Sequence, residues 1–234
     1  MRISRNVLFS LAISLTALLF TGCSNSEVAP KTTTTPQRTA SITPIISPIV
    51  SPTKGVKSLI GSPTAISKLT EAPAGYSWKY CLTSGSRFLL PDGWFFKEES
   101  NESGIACFIS KESIELEKEY KTGFSINIVQ DIPGKQGQSA LEYVKGLTQA
   151  AQSKYSTSAP TKIDSQGSPF SGYSLYINDQ QIQEGPITVY DLFMANDAKG
   201  TIFIITYEAP KSSWDEAWKI GQVILGKMVL NAEY

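Results

Sequence analysis

Residues 24–71 cannot make a core, and that fixes where everything else must fold. The stretch is dominated by Ser, Thr and Pro, including Thr32-Thr33-Thr34-Thr35-Pro36 and the recurring pairs Thr43-Pro44, Ser47-Pro48, Ser51-Pro52 and Ser62-Pro63. Such a composition buries too little apolar surface to offset the entropy of ordering the chain, and its prolines favour extended polyproline II at about 3.1 Å per residue. The expected organisation is therefore a lead of residues 1–22, a disordered linker over 23–73, and one globular domain over 74–234. Roughly 160 residues remain for that domain, enough for a single core.

The lead has the pattern of a secretory signal peptide. Arg2 and Arg5 are followed by an apolar run from Val7 to Phe20, and small Gly22 stands just before Cys23. Ser10, Ser14 and Thr16 interrupt that run, which is shorter than the roughly 18 apolar residues a spanning helix needs. Leu18-Leu19-Phe20-Thr21-Gly22-Cys23 resembles the lipobox of bacterial lipoprotein precursors. The resemblance implies cleavage before Cys23 and lipidation of its sulfur, so that the membrane becomes a partner through N-terminal acyl chains; two or more chains hold stably where one holds only marginally.

Zero net charge hides an asymmetry. Residues 1–70 carry seven Lys and Arg against one acid, which leaves 14 against 20 for residues 71–234. A domain with that acidic balance lacks the basic face that phosphates demand, so nucleic acid is not an expected partner. Histidine is absent, which removes the commonest general base and the commonest metal ligand. Beyond Cys23 two cysteines remain, Cys81 and Cys107. In an oxidising compartment they can form one disulfide, or stand as two separate buried thiols; a structural zinc site is the least expected outcome, since such sites want four N or S ligands.

Aromatics return near Tyr76, and short β-like runs begin. Arg87-Phe88-Leu89-Leu90 stops at the turn Pro91-Asp92-Gly93, after which Trp94-Phe95-Phe96-Lys97 resumes. Residues 104–109 and 123–129 read as strands, the second alternating Phe124, Ile126 and Ile128 with Ser125 and Asn127. Ser139 is placed to cap a helix reaching about residue 156, with Leu141, Val144, Leu147 and Ala151 on one face. Further strands are expected over 173–177, 187–194 and 201–207, the last two joined by the hairpin turn Asn196-Asp197-Ala198-Lys199-Gly200. A terminal helix follows Pro210 and carries Trp214, Trp218, Val223, Ile224 and Met228. An antiparallel sheet covered by helices, an α+β fold, is the architecture these elements predict.

That order, with Phe88-Leu89-Leu90-Pro91-Asp92-Gly93-Trp94 near its start and Trp214 and Trp218 after the hairpin, resembles the PsbP and Mog-type α/β/α sandwich superfamily over residues 80–231. The resemblance implies that Trp94 packs beneath the sheet and that Pro91-Asp92-Gly93 makes a turn. It also implies a binding or assembly factor rather than a catalyst, some members being lipid-anchored factors of photosystem II on the lumen side of the thylakoid. The histidines through which such proteins contact metals have no counterpart here, and neither does a basic docking surface.

Other chemistry finds little footing. Gly221-Gln222-Val223-Ile224-Leu225-Gly226-Lys227 approaches phosphate-loop spacing, but Met228 replaces the magnesium-binding Ser or Thr and the run lies in an expected helix. Gly172-Tyr173-Ser174-Leu175-Tyr176 lacks the last Gly of a nucleophile elbow and has no histidine to activate its serine. Glu112, Glu115, Glu117 and Glu119 could gather a hard cation, yet Lys111, Lys118 and Lys121 interleave with them as on a solvated edge. Glu98 and Glu99, as strand neighbours, should face opposite ways. No catalytic residue, metal ligand or cofactor is assigned. The expected function is a non-enzymatic, lipid-anchored extracytoplasmic binding or assembly factor acting on a membrane-associated protein; the alternative is an envelope lipoprotein that binds a small ligand or cation.

Overall fold

The structure, a computed structural model, describes residues 71–234 except 103, 114–119 and 183–184. Cys23, the expected signal peptide and residues 23–70 of the expected linker lie outside the described residues, as do Glu115, Glu117 and Glu119. The domain is α+β. Nine strands run in chain order as β1 (Tyr76–Tyr80), β2 (Arg87–Pro91), β3 (Phe95–Asn101), β4 (Gly104–Ser110), β5 (Gly123–Val129), β6 (Thr161–Asp164), β7 (Phe170–Ile182), β8 (Gly185–Asn196) and β9 (Thr201–Pro210). Among the described residues the α-helices are α1 (Ile132–Gln136), α2 (Ala140–Lys154) and α3 (Trp214–Lys227).

Strands β3 to β9 form one antiparallel sheet in the order β3-β4-β5-β9-β8-β7-β6, and β1 with β2 makes a separate two-stranded sheet. Side chains alternate across a strand, so each face of the large sheet collects its own core. Ile105, Cys107, Ile109, Phe124, Ile126, Ile128, Leu192, Met194, Phe203, Ile205 and Tyr207 share one face with Ile224 and Leu225 of α3 and Phe88 and Leu90 of β2. Leu175, Ile177, Val189, Phe193, Ala195 and Ile202 share the other with Ala140, Tyr143, Val144 and Ala151 of α2. The result is helix, sheet, helix. Close approach of strands demands small residues in places: a Cβ on Gly172 would lie 1.9 Å from the Phe193 carbonyl oxygen.

Local chemistry sets the helix boundaries. Ser139 Oγ accepts from the Glu142 N–H (3.3 Å), as its spacing predicts, and Asp197 Oδ1 in the β8–β9 turn accepts from the Leu141 N–H (3.0 Å), satisfying a second orphan donor. Helix α2 ends at Lys154, slightly short of the expected residue 156. The one-turn helix α1 is not expected from the sequence; Asp131, in the left-handed region at φ 56°, caps it through Oδ1 on the Gly134 N–H (3.1 Å). Pro91-Asp92-Gly93-Trp94 closes a turn in which the Trp94 N–H donates to the Pro91 carbonyl (3.1 Å) and Gly93 takes φ 77°. Trp94 is half-buried and packs against the α3-side core.

Candidate functional site

The loop between β1 and β2 is fastened at several points, and it displays the most exposed large apolar side chain among the described residues. Cys81, fully buried, is disulfide-bonded to Cys107 of β4. Glu98 of β3 spans the next two residues: its Oε2 accepts from the Leu82 N–H (2.8 Å), and its Oε1 accepts from the Thr83 N–H (2.9 Å) and Thr83 Oγ1 (2.6 Å). Burial opposes ionisation of Glu98, but the Thr83 hydroxyl and the two backbone N–H groups outweigh it and hold the carboxyl below its ordinary range.

The C-terminal segment closes the other side. Asn231 Nδ2 donates to the Ser84 carbonyl (2.7 Å), the Tyr234 hydroxyl donates to the Thr83 carbonyl, and the Gly85 N–H returns to the Cys81 carbonyl (2.7 Å). Each fixed contact removes freedom that the loop would otherwise lose on meeting a partner. Out of this frame Leu82 projects with 83% of its surface exposed. Two residues away, Tyr80 pairs with Arg87, which in turn pairs with Val229, so the three form one row across the small sheet. The Arg87 guanidinium lies 5.4 Å from the Tyr80 ring centroid, and Tyr80 (39%) and Val229 (43%) are both exposed.

The other residues singled out in the sequence are used by the fold. The 221–227 run lies within α3, and the 172–176 run lies in the N-terminal half of β7. Trp214 and Trp218 stack at 5.2 Å and, with Tyr176, Tyr190 and Tyr207, form a continuous aromatic cluster between α3 and the sheet. Burial, then the neighbouring Tyr190, pushes the Tyr176 phenol up to about 12, so it stays neutral. The Glu112 carboxylate accepts from the Lys121 and Thr122 N–H groups (3.1 Å each), bracing its own loop. Glu98 and Glu99 do diverge: Glu99 pairs with Lys97 (2.7 Å) while Glu98 turns to the disulfide corner.

One buried group escaped the sequence reading. Asp191 of β8 lies on the α2 face between Val189 and Phe193, and its Oδ1 accepts from Thr206 Oγ1 across the strand pair (2.7 Å). Burial raises this carboxyl to about 6, with the Thr206 hydrogen bond pulling the other way. Nothing in its run, Thr188-Val189-Tyr190-Asp191-Leu192-Phe193, says that helix α2 covers the Asp191 face of β8 and so buries it.

No protein-family model and no curated protein matches this chain. Among solved structures it is similar to the solution structure of cyanobacterial PsbP (CyanoP) from Synechocystis sp. PCC 6803, at 12% sequence identity and a TM-score of 0.42, over 72% of this chain and 99% of that one.

Proposed function

We propose that this protein is a lipid-anchored, extracytoplasmic binding or assembly module that performs no chemistry of its own and engages a membrane-associated protein through the loop bearing Leu82. The observation that carries this reading is the pairing of rigidity with exposure. A leucine 83% exposed is held by a disulfide, a clamped carboxylate and two C-terminal side chains. Buried apolar and aromatic anchors flanked by Arg are the residues that carry interface energy, and preorganisation lowers the cost of using them. The lipobox-like run at Cys23 and the proline-rich linker support a tethered domain with freedom to search the membrane surface. The Leu-Pro-Asp-Gly-Trp motif supports the finer form of the proposal, a factor associated with a photosystem.

Fractionation of host cells expressing Cys23→Ser or Leu82→Asp tests the two halves separately. Cys23→Ser is expected to move the chain into the soluble fraction. Leu82→Asp is expected to leave it membrane-bound while abolishing its co-purification with the membrane protein that the unsubstituted chain retains. A Cys23→Ser chain that stays in the membrane fraction refutes the anchor, and an undiminished complex with Leu82→Asp refutes the loop.

A further inference from the structure

We propose that the outer edge of β3 pairs with the same edge of a second copy of this chain, so that the large sheet runs on through a two-fold axis at Glu98. That sheet ends in β3 on one side and β6 on the other. Strand β6 is blunted: it has four residues, Thr161–Asp164, and follows Pro160, which has no N–H to donate. Strand β3 carries no such device. Its seven residues include no proline, its register on β4 is unbroken from Phe95 to Asn101, and every one of them is at least partly exposed. In an antiparallel pair, alternate residues turn their N–H and C=O groups away from the partner strand. Among the described residues, no backbone group outside β4 bonds to the backbone of residues 95–100. An edge left at full length is a template for another strand.

Charge selects the occupant. With Glu98, the midpoint of β3, on the axis, Lys97 stands opposite the second copy's Glu99 and Glu99 opposite its Lys97, while Phe96 meets Ser100 and Phe95 meets Asn101. Lys97 and Glu99 lie on the sheet face away from the Glu98 side chain, 40% and 50% exposed, and already pair within one chain at 2.7 Å. Residues paired across antiparallel strands share a face, so the axis passes through a residue and never between two. Moving it by one residue, to Lys97 or to Glu99, sets lysine on lysine or glutamate on glutamate, which is destabilising. The Glu98 register is the one that pairs opposite charges.

On the other face the two Glu98 side chains meet at the axis, a like-charge contact that limits affinity. Each is turned onto its own Leu82 and Thr83, whose N–H groups and hydroxyl offset its charge. One added strand pair is also a small interface, and interfaces burying less than about 1,200 Å² are weak and transient, so a reversible monomer–dimer equilibrium is the expected state.

The test uses the full chain carrying Cys23→Ser, with the Cys81–Cys107 disulfide intact, in sedimentation velocity up to about 1 mM. A concentration-dependent dimer is expected. Lys97→Glu and Glu99→Lys each turn two attractive contacts into two repulsive ones, and each is expected to weaken dimerisation about tenfold or more. The double substitution Lys97→Glu/Glu99→Lys restores complementarity and is expected to recover the parent equilibrium. Directly opposed Cα atoms lie about 4.5–5.5 Å apart, within disulfide reach. An equimolar mixture of Lys97→Cys and Glu99→Cys chains is therefore expected to cross-link on mild oxidation well beyond either chain alone. The proposal is overturned if the parent chain, folded by near-ultraviolet circular dichroism, stays monomeric throughout, or if its dimer is indifferent to both single charge changes. It is also overturned if the double substitution fails to restore the dimer, or if the mixture cross-links no more than either chain alone.

Discussion

Asp191→Asn should stabilise this protein, and only above a definite pH. The carboxyl is buried at the α2 face with one hydroxyl donor, and burial raises it from 3.8 to about 6. In the unfolded chain the group ionises near its ordinary value, so between about pH 4 and 6 folding takes up a proton. The stability that the neutral acid contributes is therefore fully present below pH 4 and is lost as pH rises through 6. A rise of about two units corresponds to roughly 3 kcal/mol at 1.36 kcal/mol per unit. Asn keeps the shape and an acceptor for Thr206. Urea unfolding followed by tryptophan fluorescence, with the disulfide intact, should show the variant ahead by about 2–3 kcal/mol at pH 8 and level near pH 4, at unchanged m. Glu98, whose carboxyl is lowered, removes stability below its folded value in both proteins and so cancels in the difference. A gap that does not change with pH, or a variant that is weaker at pH 8, refutes the reasoning.

Three further outcomes follow from the packing. Replacing Cys81 and Cys107 together by Ser opens a loop with a sequence separation of 26, and equilibrium unfolding should register a loss of about 3–4 kcal/mol. Gly172→Ala forces a methyl group against the Phe193 carbonyl where β7 and β8 pair, and should cost about 3 kcal/mol, read as a lower urea midpoint. Leu82→Ser should leave the urea midpoint within about 0.5 kcal/mol of the parent, because the side chain is 83% exposed and only its backbone is held; a larger loss would mean that the leucine packs in solution.

Strand β5 and the β8–β9 hairpin were legible from local pattern. Phe124, Ile126 and Ile128 against Ser125 and Asn127 declare a two-sided strand, and Asn196 to Gly200 declare a hairpin turn whatever lies around them. The Ser139 cap fixed α2 for the same reason: its chemistry is local. What escaped was settled at long range. Nothing local says that β1 and β2 leave the main sheet, since that depends on Val229 arriving beside Arg87 from the far end of the chain. The partnership of Glu98 with residues 82 and 83 is likewise a tertiary event. The sequence places that glutamate beside Glu99 and says only that the two diverge; which of them meets the disulfide is decided by the register of β3 on β4, where Glu98 faces Cys107.

The Cys81–Cys107 bond also decides how the domain carries mechanical load. A pull delivered through residue 71 first meets β1, which is paired on one side only, to β2. Five residues of ladder can peel away like a zip, and then the force reaches Cys81. From there it passes through sulfur into β4, a strand hydrogen-bonded on both edges by β3 and β5. Further extension must shear two ladders at once instead of opening one pair at a time. A domain built in this way has a short compliant element in series with a stiff one. A pull from the N-terminal side is absorbed by the edge strand before it strains the sheet.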